Sequence, residues 1–124
     1  MIFKPKAIEL IKAGLKTQTR RPVKPGEWLS HPVPFDPRLE VVDRNHRSKW
    51  TVGHRYSLCP GRGAPRVGLM RLTGIRQEAL GLISDGDAHA EGFESRNAFL
   101  EAWSLMYPKS QPEDLVWVLE FDRN

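Results

Sequence analysis

Five of the ten prolines fall within residues 22–37, at Pro22, Pro25, Pro32, Pro34 and Pro37. Proline has a fixed φ and no N–H to give to a helix or a sheet ladder, so this run bars regular structure from a large share of a 124-residue chain. No sustained periodicity runs from Pro22 to Trp50, and the stretch reads as one long loop with room for a short strand at residues 39–42. A loop of that length inside a compact domain usually has a function of its own.

The patterned elements lie on either side of it. Pro5 suits a first helical position, Ile8, Ile11 and Leu15 recur at helical spacing, and Gly14 offers a left-handed stop, which predicts a helix over residues 5–13. YSLC (56–59) is a short strand candidate before the turn-rich CPGRGAP. RVGLMRLTGI (66–75) reads as a strand with a bulge near Gly68 or Gly74; Val67 and Leu69 oppose Met70 and Leu72, so it changes face or is buried on both. Ser84 with Asp87 resembles a capping box and starts a helix ending near Gly92, and Ser95 caps the next. There Phe99, Ala102, Trp103 and Met106 make an apolar face, and Pro108 stops it. LVWVLEFD (115–122) is the clearest strand, with Leu115, Trp117, Leu119 and Phe121 alternating against Val116, Val118 and Glu120. Strands and helices are segregated, without βαβ alternation or internal repeats. That pattern predicts an α+β domain with a small mixed or antiparallel sheet.

Composition narrows the function classes. Nineteen Lys and Arg against 15 Asp and Glu give a formal charge of +4, which favours anionic partners without naming one. Cys59 is the single cysteine, so no internal disulfide can form, and the four histidines show no short metal-ligand spacing with it. No metal and no cofactor are expected. The N-terminus carries Lys4, Lys6 and Glu9, which spoils a signal core, and no run reaches the roughly 18 apolar residues of a membrane span. A cytoplasmic, single-domain monomer without membrane association is the expectation.

The densest chemistry is GLKTQTRR, residues 14–21. A lysine becomes a usable base when burial or nearby cations lower its pKa, and Arg20 and Arg21 are two such cations. A threonine hydroxyl needs a base in reach to act as a nucleophile, so Lys16 and Thr19 form a candidate pair. In a regular strand they point to opposite faces, so the segment must turn or the lysine stem must curl round an edge. The other reading is an exposed basic loop. CPGRGAPRVG lacks both glycine-rich phosphate-loop patterns and is a turn. Trp28 and Trp50 flank the proline-rich region and can stack on bases or pin that region to the core. Trp103 and Trp117 fall on apolar stripes and belong to the core. Glu91, at a helix end, is either solvated or a site carboxylate.

In order along the chain, these stretches resemble the ASCH family. The likeness runs through G-x-K-T-x-T-x-R (Gly14, Lys16, Thr17, Thr19, Arg21), V-G-x-x-Y (Val52, Gly53, Tyr56) and S-x-x-D-A-x-x-E-G-F (Ser84, Asp87, Ala88, Glu91, Gly92, Phe93). It ends with F-L-x-x-W-x-x-x-Y and the V-W-V-x-E-F strand. The resemblance implies a single PUA-like β-barrel domain over residues 1–124 with peripheral helices and an insertion at about 22–50. It also implies an RNA-binding class and a bacterial branch of amidohydrolases acting on N4-acetylcytidine. Carried over position by position, the implied catalytic residues are Lys16, Thr19 and Glu91, with Thr17, Arg20, Arg21, Trp28 and Trp50 expected to contact a modified nucleoside or RNA. A non-catalytic RNA-binding domain is the alternative; a ribonuclease is a weaker third, because it would want a pair of histidines and none lies near the motif.

Overall fold

The computed structural model describes residues 1–123; Asn124, the last residue of the expected domain, lies outside them. Helix α1 (Pro5–Lys12) starts on its proline and stops before Gly14, whose φ of 77° supplies the left-handed turn. Strand β1 (Gln18–Pro22) follows, then three short strands, β2 (Trp28–Ser30), β3 (Glu40–Val42) and β4 (Ser48–Thr51). Strands β5 (Arg55–Leu58) and β6 (Gly68–Ala79) form a hairpin. A 3-10 turn leads to α2 (Asp85–Ala90) and α3 (Arg96–Met106), and β7 (Leu115–Arg123) closes the order. Ser84 and Ser95 cap α2 and α3, their hydroxyls accepting from Asp87 N and Ala98 N.

The architecture is α+β, as expected, and its strands form two antiparallel sheets. One has the order β1-β7-β6-β5 and the other β2-β3-β4. They do not close into the expected barrel: among the described residues β1 and β5 are both edges. Pro22 is one reason, because it ends β1 with a residue that cannot donate to a further ladder. The stretch 22–50 is mostly irregular and holds the strand expected at 39–42, which is β3, together with two strands that were not expected, β2 and β4. Its prolines sit between strands of three or four residues, short enough to avoid them, and those strands build the second sheet.

Each face of the four-stranded sheet is covered. Val116 and Val118 of β7 pack under α2 and α3 with Ala88, Phe99 and Trp103. On the other face, Trp117, Leu119, Leu72 and Ile75 meet Val41 and Trp50 of the second sheet, while Met70 and Phe121 meet Ile8 and Ile11 of α1. Trp50 is therefore a packing residue. Glu27 locks the sheets together: it accepts from Lys49 Nζ of β4 at 2.6 Å and from Trp117 Nε1 of β7 at 2.9 Å. The expected bulge appears as a register shift between Leu72 and Gly74. Met106 departs from its expected core position. It is 53% exposed, beside a cleft of about 490 Å3 lined also by Pro22, Trp103, Tyr107 and Leu115.

Candidate functional site

Residues 14–21 are ordered chain rather than a solvated loop. After Gly14 the backbone N–H groups of Leu15 and Lys16 both return to Leu10 O. Thr17 then bonds in two directions, its N–H to Ala90 O at 2.8 Å and its carbonyl to Phe121 N at 3.0 Å. The link between α1 and β1 is thereby stitched to the end of α2 and to β7. Gly92 makes this close approach feasible: its φ is +94°, and a Cβ there would lie 2.9 Å from Leu10 Cδ1.

That stitching brings Lys16 to Glu91. The ammonium donates to Glu91 Oε1 at 3.0 Å, to Glu91 O at 2.7 Å and to Gln18 O at 2.9 Å. Lys16 and Glu91 are each only 5% exposed. Burial penalises both charges: it lowers the Lys16 pKa, helped by Arg21 and Arg20 and opposed by Glu91. It raises that of Glu91 against the pull of Lys16, Arg20 and Arg21. Glu91 Oε2 is buried with no hydrogen-bond partner.

Strand alternation sorts the rest of the motif. Thr19 and Arg21 stand opposite Leu119 and Trp117 on one face, and Gln18 and Arg20 opposite Glu120 and Val118 on the other. Thr19 is 2% exposed, and its Oγ1 accepts from Arg21 Nη1 at 3.2 Å. Arg21 lies 5.1 Å from the Phe3 ring and also donates to Ile2 O, so it covers Thr19 from the α1 side. The bonds of Lys16 go to Gln18 and Glu91 and not to Thr19.

Arg20 serves a different network. Its buried guanidinium bonds Gln18, Glu78 and Asp87 and sits over the Phe99 ring, while Arg76 reaches Asp87 and Glu120. This network ties α2 to β1, β6 and β7. The motif reading missed Gln18, Arg76, Glu78 and Glu120; the period-two split of Gln18 and Arg20 from Thr19 and Arg21 is the signal that carries them. Asp87, in the sequence a capping residue and a member of the S-x-x-D-A-x-x-E-G-F block, is the acid of α2 in this network. Its carboxyl is pushed up by burial, and Gln18, Arg76 and Arg20 outweigh that and hold it low. Thr17 is exposed beside the pair. Trp28 is 47% exposed in the second sheet, and Trp50 is 7% exposed with Lys49 above its ring. The cleft beyond Pro22 has none of Lys16, Thr19 or Glu91 in its wall. Among the described residues no cluster of three His, Cys, Asp or Glu could hold a metal. No helix there is long and apolar enough to cross a membrane.

No protein-family model and no curated protein matches the chain. Solved structures do. An ASCH domain from Lactobacillus crispatus JV V101 superposes with a TM-score of 0.69 at 16% identity, over 95% of this chain and 70% of that one. A protein from Enterococcus faecalis V583, described by the family DUF984, superposes with a TM-score of 0.61 at 15% identity, over 95% and 69%. At these identities the likeness is one of fold, and the chain has the fold of an ASCH domain.

Proposed function

We propose that this chain belongs with the ASCH amidohydrolases and removes the acyl group from an N4-acylated cytidine or a similar modified nucleoside, with Thr19 as nucleophile, Lys16 as base and Glu91 as its proton partner. The observation that carries this reading is the Lys16–Glu91 pair: two oppositely charged groups closed off from water, whose shifts both favour the neutral forms. Moving one proton along the 3.0 Å bond gives an amine and a carboxylic acid, and an amine at neutral pH is the base a threonine needs.

The chemistry then balances as an ordinary amide hydrolysis. Lys16 exchanges its bond to Gln18 O for one to Thr19 and takes the hydroxyl proton as Oγ1 adds to the amide carbonyl carbon. Arg21, already donating to Oγ1, lies where the oxyanion develops. Collapse breaks the C–N bond, and the lysine proton passes to the leaving amine of the base. Water next adds to the threonine ester, giving a proton to Lys16. That proton returns to the threonine oxygen as the ester bond breaks and the carboxylic acid leaves. One amide and one water give one amine and one acid. Because Thr19 is 2% exposed, the Arg21 side chain must move aside to admit substrate.

RNA binding through the same motif, without catalysis, is the second reading. It draws on the three cations Lys16, Arg20 and Arg21, yet Lys16 faces Glu91, and Arg20 faces Glu78 and Asp87. The test is turnover of N4-acetylcytidine by wild type and by Thr19→Ala under identical conditions. Wild-type turnover with at least a thousandfold loss in the variant is expected. Equal rates remove Thr19 as the nucleophile, and inactivity of both, at saturating substrate, removes the hydrolase.

A further inference from the structure

Phe99, Trp103 and Tyr107 recur at every fourth residue along α3 and its C-cap, so their rings line one face. With Phe93 they form a row whose neighbouring centroids lie 5.4, 5.8 and 4.7 Å apart, a spacing at which rings attract. The row runs outward from Phe99, which is buried, to Tyr107, which is 38% exposed. Its outer end, Trp103 and Tyr107, forms part of the wall of the cleft of about 490 Å3, a size usual for small-molecule sites. Pro22, Met106 and Leu115 supply more of that wall, and it is mostly apolar.

Within this wall one hydrogen bond is unmet. Trp103 Nε1 is buried with no partner among the described residues, and a buried donor left unpaired carries a desolvation cost. Trp117 shows the ordinary outcome, since its Nε1 donates to Glu27 at 2.9 Å. Charge around the cleft is balanced. Lys109 and Asp114 carry opposite signs, and the Asp114 carboxylate accepts from Gln111 N at 2.8 Å. The cleft therefore has no net charge with which to select an anion or a cation.

We propose that this cleft binds an uncharged planar aromatic molecule with one hydrogen-bond acceptor, its ring extending the aromatic row at Tyr107 and its acceptor taking the Trp103 N–H. The donor is already stripped of water in the free protein, so on binding only the ligand's acceptor gives up a water bond. Tyr107, the most exposed ring of the row, turns aside to open the indole edge. A nucleobase fits poorly. Its edge sets donors and acceptors side by side, and apolar walls would leave most of them unpaired. The wall includes none of Lys16, Thr19 and Glu91, so the site does not depend on the hydrolase reading.

The experiment titrates nitrogen-15-labelled protein with quinoline at pH 8, where its ring nitrogen is unprotonated, and with naphthalene, which has the same shape and no acceptor. Benzoate and cytidine are the charged and the nucleoside arms. Trp103→Phe identifies the Trp103 indole signal by its loss, and thermal melts verify that each variant is folded. Quinoline should move that indole proton downfield and bind about five- to tenfold tighter than naphthalene, the weight of one neutral hydrogen bond. Trp103→Phe should erase this preference while both rings still bind. Leu115→Trp, whose larger ring fills the cleft from an exposed position, should remove binding of both. Equal affinities for the two rings with an unmoved Trp103 signal overturn the proposal. So does tighter binding of benzoate or cytidine than of quinoline, and so does quinoline binding that survives Leu115→Trp.

Discussion

Two glutamates with side chains closed off from water each hold a lysine in this molecule, and their pKa values shift in opposite directions. Glu27 lies where the two sheets meet, and Glu91 at the end of α2. Burial pushes both carboxyls up. At Glu27 the effect is outweighed by Lys49, by the Lys24 N–H at 2.8 Å and by Trp117 Nε1, so its carboxylate is held below the usual range. Glu91 receives one side-chain bond, from Lys16, and its Oε2 receives none, so burial wins and its pKa rises. The number of donors aimed at a carboxylate, more than the presence of a lysine, separates a clamp fixed as an ion pair from a pair that can trade its proton.

The largest test of this contrast is paired amide substitution. Glu91→Gln keeps the shape but cannot take the lysine proton, so turnover of N4-acetylcytidine should fall 10²- to 10⁴-fold, the usual range for lost proton transfer. Its stability should fall by about 3 kcal/mol, because the 5%-exposed Lys16 is left without its counter-charge. Glu27→Gln should leave turnover within about twofold and cost about 2 kcal/mol in urea unfolding, since charge-assisted bonds to Lys49 and Trp117 are weakened together. If Glu27→Gln abolishes turnover while Glu91→Gln is silent, the assignment of roles is inverted.

Removing the lysines sharpens the contrast by a smaller amount. Lys16→Met leaves the 5%-exposed Glu91 without its cation and should cost about 3 kcal/mol at pH 7. Alone, Glu91 keeps a folded pKa above its unfolded value, so this deficit should shrink toward pH 4 and deepen as pH rises. Lys16→Met/Glu91→Leu should recover the loss and match or exceed wild type, because replacing a buried pair by well-packed apolar groups is neutral or stabilising. Lys49→Met should cost only about 1 kcal/mol, because Lys49 is partly open to water and Glu27 keeps two other donors. Failure of the double variant to recover would make the Lys16–Glu91 pair a stabilising element instead.

The sequence shows these two carboxylates unequally. Glu91 stands in a recognisable block with Ser84, Asp87 and Gly92, after a capping signal that the structure realises. Glu27 stands among Pro25, Gly26 and Trp28, where proline hides everything. Strands of three residues are too short to display alternation, so the second sheet reads as loop although Val41 and Trp50 are buried core. Strand β1 is obscured for the opposite reason. Gln18, Thr19 and Arg20 are polar and buried, satisfied by partners from distant elements, and only tertiary structure supplies those partners. By contrast β7 is apolar on both faces and α3 carries a strong stripe, so both are plain, except that Met106 at the helix end faces water. The motif names Lys16, Thr19 and Glu91 but not the route by which Gly92 and the Thr17 backbone bring Lys16 and Glu91 together.

The smallest expected effect is in the pH dependence of stability, and there the two glutamates must differ in sign. For Glu27 the folded pKa is depressed. Its contribution is complete above the unfolded value of about 4.5 and is lost as pH falls through the folded one, so the clamp weakens only in acid. For the Lys16–Glu91 pair the shifts run the other way. Raising the Glu91 pKa costs stability as pH rises past 4.5, and lowering the Lys16 pKa costs stability as pH falls below 10.5. The two costs overlap across neutral pH, where both groups are asked to be charged in a closed site. Relative to wild type, Lys16→Met/Glu91→Leu should therefore gain most near pH 7 and less toward pH 4 and pH 10. Glu27→Gln should lose a constant amount from pH 6 to 9 and converge on wild type in acid. Urea midpoints of the three proteins at pH 4, 7 and 9.5 measure this. A maximum for the double variant at either extreme instead of near neutrality would mean that the pair rests as an unstrained ion pair, and the proton transfer proposed for Lys16 would lose its physical basis.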